Sequence, residues 1–197
     1  MGFLVVGIDV GYSRPGLSAV HFDKFFDTQS STLVFSGYLE TKADKGDGYK
    51  SVDDARRVEE IVTWIDAKIR QFHPDLVTVE LPLSGAKSAG AIKCMALAAG
   101  ATIGALKIIQ RDIPFKQVVY SPYETKRACT GDPVADKEAM ILAAMNAWPS
   151  VEWPMLKPTK KRKDKIHAER AEAMADSMCA ILAFVRLNFG KSTSQFR

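Results

Sequence analysis

The stretch VVGIDVGYSRPGLSAV, Val5–Val20, decides the fold. An apolar strand, FLVVGIDV (Phe3–Val10), closes on a single acid, Asp9. The turn-forming GYSRPG (Gly11–Gly16) follows, and a second strand, GLSAVHF (Gly16–Phe22), starts at once. A lone carboxylate at the end of an apolar strand has three readings. It is a turn or cap acceptor, part of a phosphate cradle, or one ligand of a metal site. The choice depends on whether it has partners elsewhere in the chain.

Reading outward, STLVFSGYLE (Ser31–Glu40) is a third strand after the turn DTQSS, which makes an antiparallel meander. The polar loop KADKGDGYKS (Lys42–Ser51) comes next. The period then changes: Val58, Ile61, Val62, Ile65 and Ile69 recur at helical spacing, with Ser51 as N-cap and Pro74 closing the segment. DLVTVE (Asp75–Glu80) is a fourth strand, again ending in an acid, and Pro82 and Gly85 break the chain after it. SAGAIKCMALAAGATIGALKIIQ (Ser88–Gln110) is a small-residue helix able to pack closely, and KQVVYS (Lys116–Ser121) is a fifth strand. PYETKRAC and PVADKEAMILAAMNAW follow as a short and a longer helix, and a final helix is expected from about Lys165 to Asn188. The order predicts an α/β fold: a mixed five-stranded sheet, three strands antiparallel and then two parallel, with helices on both faces. One domain is expected over residues 1–189, with a frayed tail at 190–197.

Composition sets the broad class. Of the 197 residues, 47% are hydrophobic and 25% charged, as in an ordinary globular domain. No apolar run of membrane-spanning length stands out, and the N-terminus lacks the basic region and cleavage site of a signal peptide, so no membrane association is expected. Cys94, Cys129 and Cys179 are scattered without a CxxC pair and read as reduced core thiols of a cytoplasmic protein. The net charge of +4 permits a polyanionic partner without requiring one. Its distribution says more: KPTKKRKDK (Lys157–Lys165) packs six Lys and Arg around one Asp, as a solvated loop or a phosphate-contacting one.

If the first and fourth strands are parallel neighbours, Asp9 and Glu80 share the carboxyl edge of the sheet, where ligands of open α/β sheets bind. The final helix adds Glu169, Glu172 and Asp176 along one border of an apolar stripe of Ala168, Ala171, Ala175, Met178, Cys179 and Leu182. Glu172 and Asp176 lie one turn apart and repel, so something cationic must relieve them: a basic side chain such as Lys126, or a metal ion. Carboxylates suit hard divalent ions such as Mg²⁺. Two ions roughly 3.5–4 Å apart support water attack on a phosphodiester without a nucleophilic side chain.

Four segments taken in order, GIDVG (Gly7–Gly11), VTVELPLSGAK (Val77–Lys87), VVYSPYETKRACTGDPVADKEAM (Val118–Met140) and AEAMADSMCAI (Ala171–Ile181), resemble the RuvC family of the RNase H-like nucleases, most nearly its phage branch. The resemblance covers roughly residues 3–187 and implies an RNase H-like sheet. It implies a metal-dependent endonuclease cutting four-way (Holliday) DNA junctions, with Mg²⁺, or Mn²⁺ in its place, and two ions per site. Asp9 and Glu80 match the first two metal-binding acids. Glu172 and Asp176 are favoured as the last pair from the E-x-x-A-D spacing, with Glu169 in reserve. Lys126 and Lys137 fall near the basic positions beside the scissile phosphate, with Lys126 assigned a catalytic part. Lys87, Lys160, Lys161, Arg162 and Lys163 join them as expected DNA contacts, and His167 reads as a helix-start or surface histidine, with a metal or phosphate contact as the alternative. The chain departs from the family in carrying Leu81 and Leu83, not an aromatic, just after the second acid. A homodimer near the small-residue helix is implied, working in bacterial or phage-infected cytoplasm. The alternatives are an RNase H-like nuclease acting on flaps, forks or RNA–DNA hybrid, and an inactive junction-binding protein. A sugar-kinase or actin-like ATPase also places D-x-G after a strand, but no second strand here carries that motif.

Overall fold

The computed structural model describes residues 2–23, 26–44, 49–82, 88–155 and 166–190. Five strands, β1 (Phe3–Asp9), β2 (Gly16–Phe22), β3 (Ser31–Tyr38), β4 (Leu76–Glu80) and β5 (Lys116–Tyr120), form one sheet in the order β3-β2-β1-β4-β5. β1 pairs antiparallel with β2 and parallel with β4, β2 antiparallel with β3, and β4 parallel with β5. This is the expected mixed sheet. The helices are α1 (Lys50–Phe72), α2 (Ala89–Ile109), α3 (Pro122–Thr130), α4 (Lys137–Ala147) and α5 (Ala168–Asn188).

Strand alternation sorts the two faces. Val6, Ile8, Leu17, Ala19, Val77 and Val79 pack against Ile61, Ile65, Ile69, Leu106 and Ile109 of α1 and α2. Val5, Val20, Phe22 and Leu76 point the other way, onto Met140, Ala144, Met178, Ile181 and Leu182 of α4 and α5. By the same parity Asp9 and Glu80 belong to the α5 face. Two glycines let α5 approach that face. A Cβ on Gly7 would stand 2.0 Å from the Ser177 carbonyl oxygen, and one on Gly16 would stand 1.8 Å from that of Ala173. Ser18 Oγ lies 2.7 Å from Ser177 Oγ and pins the helix between them.

Several local expectations change. α1 starts at Lys50 with Tyr49 as its cap residue and no side-chain cap, so Ser51 is inside the helix. At its other end His73 turns left-handed (φ 47°) just before Pro74. α5 is apolar nearly all round, not along one stripe, because it lies between the sheet and α3 and α4; Ala171 to Val185 are mostly buried and Ala168 is exposed. α2 is long and apolar enough to cross a membrane by length and hydropathy, with 28% of that window buried, whereas no such run was expected. Its isoleucines, leucines and alanines raise the hydropathy; in this fold it packs on α1 and the sheet. Cys129 and Cys179 are buried and Cys94 half-buried, all three as free thiols. The 191–197 part of the tail, residues 45–48 of the polar loop and the basic run 157–165 lie outside the described residues.

Candidate metal centre

β1 and β4 run parallel with Asp9 directly opposite Glu80. The last rung of the pair therefore carries two carboxylates on one face at one edge. α5 crosses that edge and supplies a third. Ligand oxygens of Asp9, Glu80 and Asp176 all lie within 4.8 Å of one another.

The electrostatics of this cluster are unfavourable as it stands. Glu80 is 6% exposed, and its Oε2 is buried with no hydrogen-bond partner. Burial is the main cause pushing its carboxyl up to about 7, against a hydrogen bond from Thr125 and the charge of Lys126. Asp9 is pushed well above the usual carboxylate range, first by burial and then by the charges of Asp176, Glu80 and Glu172. Asp176 rises for the same reasons, burial first and then Glu80 and Glu172, while Lys126 and Lys137 pull it down. One buried and two half-buried acids, with one orphaned oxygen among them, match the donor set of a hard divalent cation.

Glu172 stands at the rim of this group. Its Oε2 takes an ion pair from Lys137 Nζ at 2.5 Å, and its charge still acts on all three acids. The cation relieving Glu172 is thus Lys137, whereas Lys126 was the expected candidate; Lys126 acts on Glu80 and Asp176. Glu169 does not join. It is exposed and pairs with Arg14 of the β1–β2 loop at 2.8 Å. His167 is the cap residue of α5, and its backbone N–H donates to the Pro154 carbonyl. Leu81 packs half-buried against the α1–α2 core and so is not free to stack on a base. Lys87, Lys160, Lys161, Arg162 and Lys163 lie outside the described residues, as does Leu83.

Two features escaped sequence reasoning. Thr125 of α3, whose hydroxyl donates to the Ser121 carbonyl at 3.2 Å, also draws the Glu80 carboxyl down, and nothing in PYETKRAC marks one threonine for this task. Lys137 pairs directly with Glu172, and here a signal existed: a lysine right after an N-cap, Asp136, opposes the helix dipole and calls for a nearby anion.

The family model described as crossover junction endodeoxyribonuclease RuvC matches residues 5–148. The chain belongs to the RuvC family. Its similarity to the RuvC of Paenarthrobacter aurescens is 29% identity over 140 residues, 71% of this chain and 66% of that protein, so this match spans just under two thirds of the relative. With the RuvC of Corynebacterium diphtheriae it is 28% over 174 residues, 88% of this chain and 91% of that one. In fold, the chain is similar to T. thermophilus RuvC solved in complex with a Holliday junction substrate, with TM-score 0.66 and 20% identity over 95% of this chain and 97% of that one. The family match ends before α5. Asp9 and Glu80 thus fall within it, and Asp176 joins them by geometry, with Glu172 at the rim.

Proposed function

We propose that this chain is a divalent-metal-dependent endonuclease that cuts four-way DNA junctions by water attack on a phosphodiester. The observation that carries the metal dependence is the meeting of Asp9, Glu80 and Asp176 within 4.8 Å, with Glu80 Oε2 buried and unpartnered. The RuvC membership supports the substrate class.

Asp9, Glu80 and Asp176 would hold the ions, and Glu172, now paired with Lys137, would be the fourth ligand. Mg²⁺ is the proposed ion, with Mn²⁺ as substitute and two ions per site, supplying an activated water and charge stabilisation at the leaving oxygen. Lys126 and Lys137, at the rim, face the incoming phosphate, Lys126 in the catalytic role. Lys87 and the run Lys160, Lys161, Arg162 and Lys163 grip the duplex arms through phosphates, a mode that weakens steeply with salt.

A homodimer places two such sites on symmetric strands. α2 offers the surface: Ile92 and Ile108 are exposed, and open space surrounds Gly100 and Gly104. A solution mass of twice 21.7 kDa by light scattering checks this. The free cysteines fit work in a bacterial or phage-infected cytoplasm.

The test is a cleavage panel with Mg²⁺: four-way junction, flap, fork, linear duplex and RNA–DNA hybrid. Symmetric paired nicks in the four-way junction are expected. Cutting confined to flaps or hybrid would move the substrate class. Asp9→Asn should abolish cleavage while leaving junction binding intact, and strong Mg²⁺-dependent cutting by that variant would sink the metal assignment.

A further inference from the structure

The loop that follows Asp9 is gripped by charges in an unexpected place. The buried stripe of α1 runs Asp54, Arg57, Ile61, Ile65, Ile69. Three of these are the isoleucines an apolar stripe needs; the first two are a carboxylate and a guanidinium, 7% and 8% exposed. Charges so placed rarely add net stability, because desolvation offsets their attraction. Their partners show what they hold.

Asp54 Oδ1 accepts from the Tyr12 hydroxyl at 2.5 Å, and its other oxygen pairs with Lys93 of α2. The Arg57 guanidinium lies 4.0 Å above the Tyr12 ring centre. It also donates to Ser13 Oγ at 3.0 Å and Thr41 Oγ1 at 3.1 Å. Thr41 Oγ1 in turn donates to the Tyr12 carbonyl at 2.6 Å, and the Thr41 N–H donates to the Ser13 carbonyl. Tyr12 and Ser13 are thus held through ring, hydroxyl and backbone together. The phenol stays a donor, since burial and the Asp54 bond raise it to about 12.

The loop so gripped begins and ends on one rung, Asp9 opposite Gly16. Gly16 is the residue whose missing side chain admits the Ala173 carbonyl, between Glu172 and Asp176 on α5. Across the rung, Val10 N–H bonds the Glu80 carbonyl. A loop free to move would carry Asp9, the α5 turn and the end of β4 with it. None of Tyr12, Asp54, Arg57 or Lys93 belongs to the acid cluster.

We infer that Tyr12 and Asp54 are positioning residues of the metal centre: they fix the Gly11–Pro15 loop, and through the Asp9–Gly16 rung the spacing of the three acids, from the opposite face of the sheet. This rests on the metal-site reading above.

The test compares Tyr12→Phe and Asp54→Asn with the wild-type chain. Tyr12→Phe keeps the ring under Arg57 and removes only the hydroxyl, so it decides the matter if Asp54→Asn fails to fold. The first readout is Mn²⁺ affinity by calorimetry without DNA; the second is single-turnover cleavage; the third is junction affinity by gel shift in Ca²⁺. Supporting outer partners of a metal site typically change metal affinity by about 10–100-fold, and a weakening near the lower end is expected, with cleavage at limiting metal falling in step and junction affinity unchanged. Unchanged Mn²⁺ affinity overturns the inference, whether melting temperature alone falls or junction affinity alone weakens. If the wild-type chain binds Mn²⁺ but cuts no junction, the functional reading fails, and the Mn²⁺ comparison still decides this one.

Discussion

Gly7→Ala tests the packing that brings α5 to the acids. Gly7 sits in the middle of β1, opposite Ser18 on one side and Thr78 on the other. Its added Cβ would stand 2.0 Å from the Ser177 carbonyl oxygen and 2.7 Å from Ile181 Cγ1. Ile181 can turn aside; the carbonyl is helix backbone and cannot. Ordinary contact begins at 3.4 Å, so about 1.4 Å of separation is missing in a close-packed interior. Overpacking of this kind costs about 1–3 kcal/mol, which in a domain of this size lowers the melting temperature by roughly 2–10 °C. The larger effect falls on the site, because Ser177 follows Asp176. Backing α5 off by even part of that distance pulls one carboxylate away from two fixed in the sheet. Mg²⁺ tolerates little departure from ligand distances of about 2.0–2.1 Å, so its affinity should fall further than that of more adaptable Ca²⁺. A misplacement of about 1 Å in a reacting group can cost about 100-fold in rate. The assays are calorimetry for melting and metal binding, and single-turnover cleavage of a four-way junction. A Gly7→Ala protein with wild-type melting, Mg²⁺ affinity and cleavage would refute the claim that the glycine sets the α5 distance and, with it, the geometry of the acids.

Other outcomes follow from the same geometry. In metal-free protein, stability should fall as pH rises from about 4.5 to about 7. Glu80 keeps its proton up to about 7 in the fold but only to about 4.5 when unfolded, so the folded state binds more protons in that window, worth at most roughly 3 kcal/mol. Melting scans from pH 5 to 8 should show the fall, and saturating Mn²⁺ should abolish it; a metal-free protein most stable at pH 8 would contradict the burial argument. Lys137→Met should leave Glu172 unrelieved, lower the metal-free melting temperature and reduce cleavage by about 10–100-fold at saturating DNA, while wild-type cleavage by this variant would remove Lys137 from the site. Replacing Lys160, Lys161, Arg162 and Lys163 together by Ala should weaken junction binding and flatten its salt dependence by about 0.9 in log–log slope for each phosphate no longer neutralised. An unchanged slope would make that run a solvated loop only.

The fold was legible where periodicity and pairing were local. The alternating strands Phe3–Asp9 and Gly16–Phe22 and the turn between them fixed the meander, and two strands entering through helices had one reasonable way to extend it. Asp9 and Glu80 were legible because a strand-end acid has a defined place: once the two strands are parallel neighbours, the acids share an edge. The helix acids were less so. Along one helix Glu169, Glu172 and Asp176 differ only by small rotations and rises, and what sorts them is the partner each meets from another segment. Glu169 turns to Arg14, Glu172 to Lys137, and Asp176 inward. The charged start of the α1 stripe was not legible, because Asp54 and Arg57 pass for solvated helix charges until Tyr12, Thr41 and Lys93 come in from three other segments.

What separates a metal site from a set of structural acids is the company an unpartnered oxygen keeps. On the α5 side of the sheet Ser18 pairs with Ser36 and Ser177, Ser177 with the Met174 carbonyl and Thr78 with the Val6 carbonyl, while Glu80 Oε2, Trp153 Nε1 and Arg170 Nε are buried without a partner. The packing there is close enough to require glycine at two positions. Of these three atoms only Glu80 Oε2 can carry negative charge, and it alone stands beside two further carboxylates. Lys126 draws down both Glu80 and Asp176, and Lys137 draws down Asp176. Neither lysine closes the triad, and a buried ammonium in its centre would quench the acids it served. The remaining deficit is positive charge without bulk or protons to give, and a divalent ion supplies that.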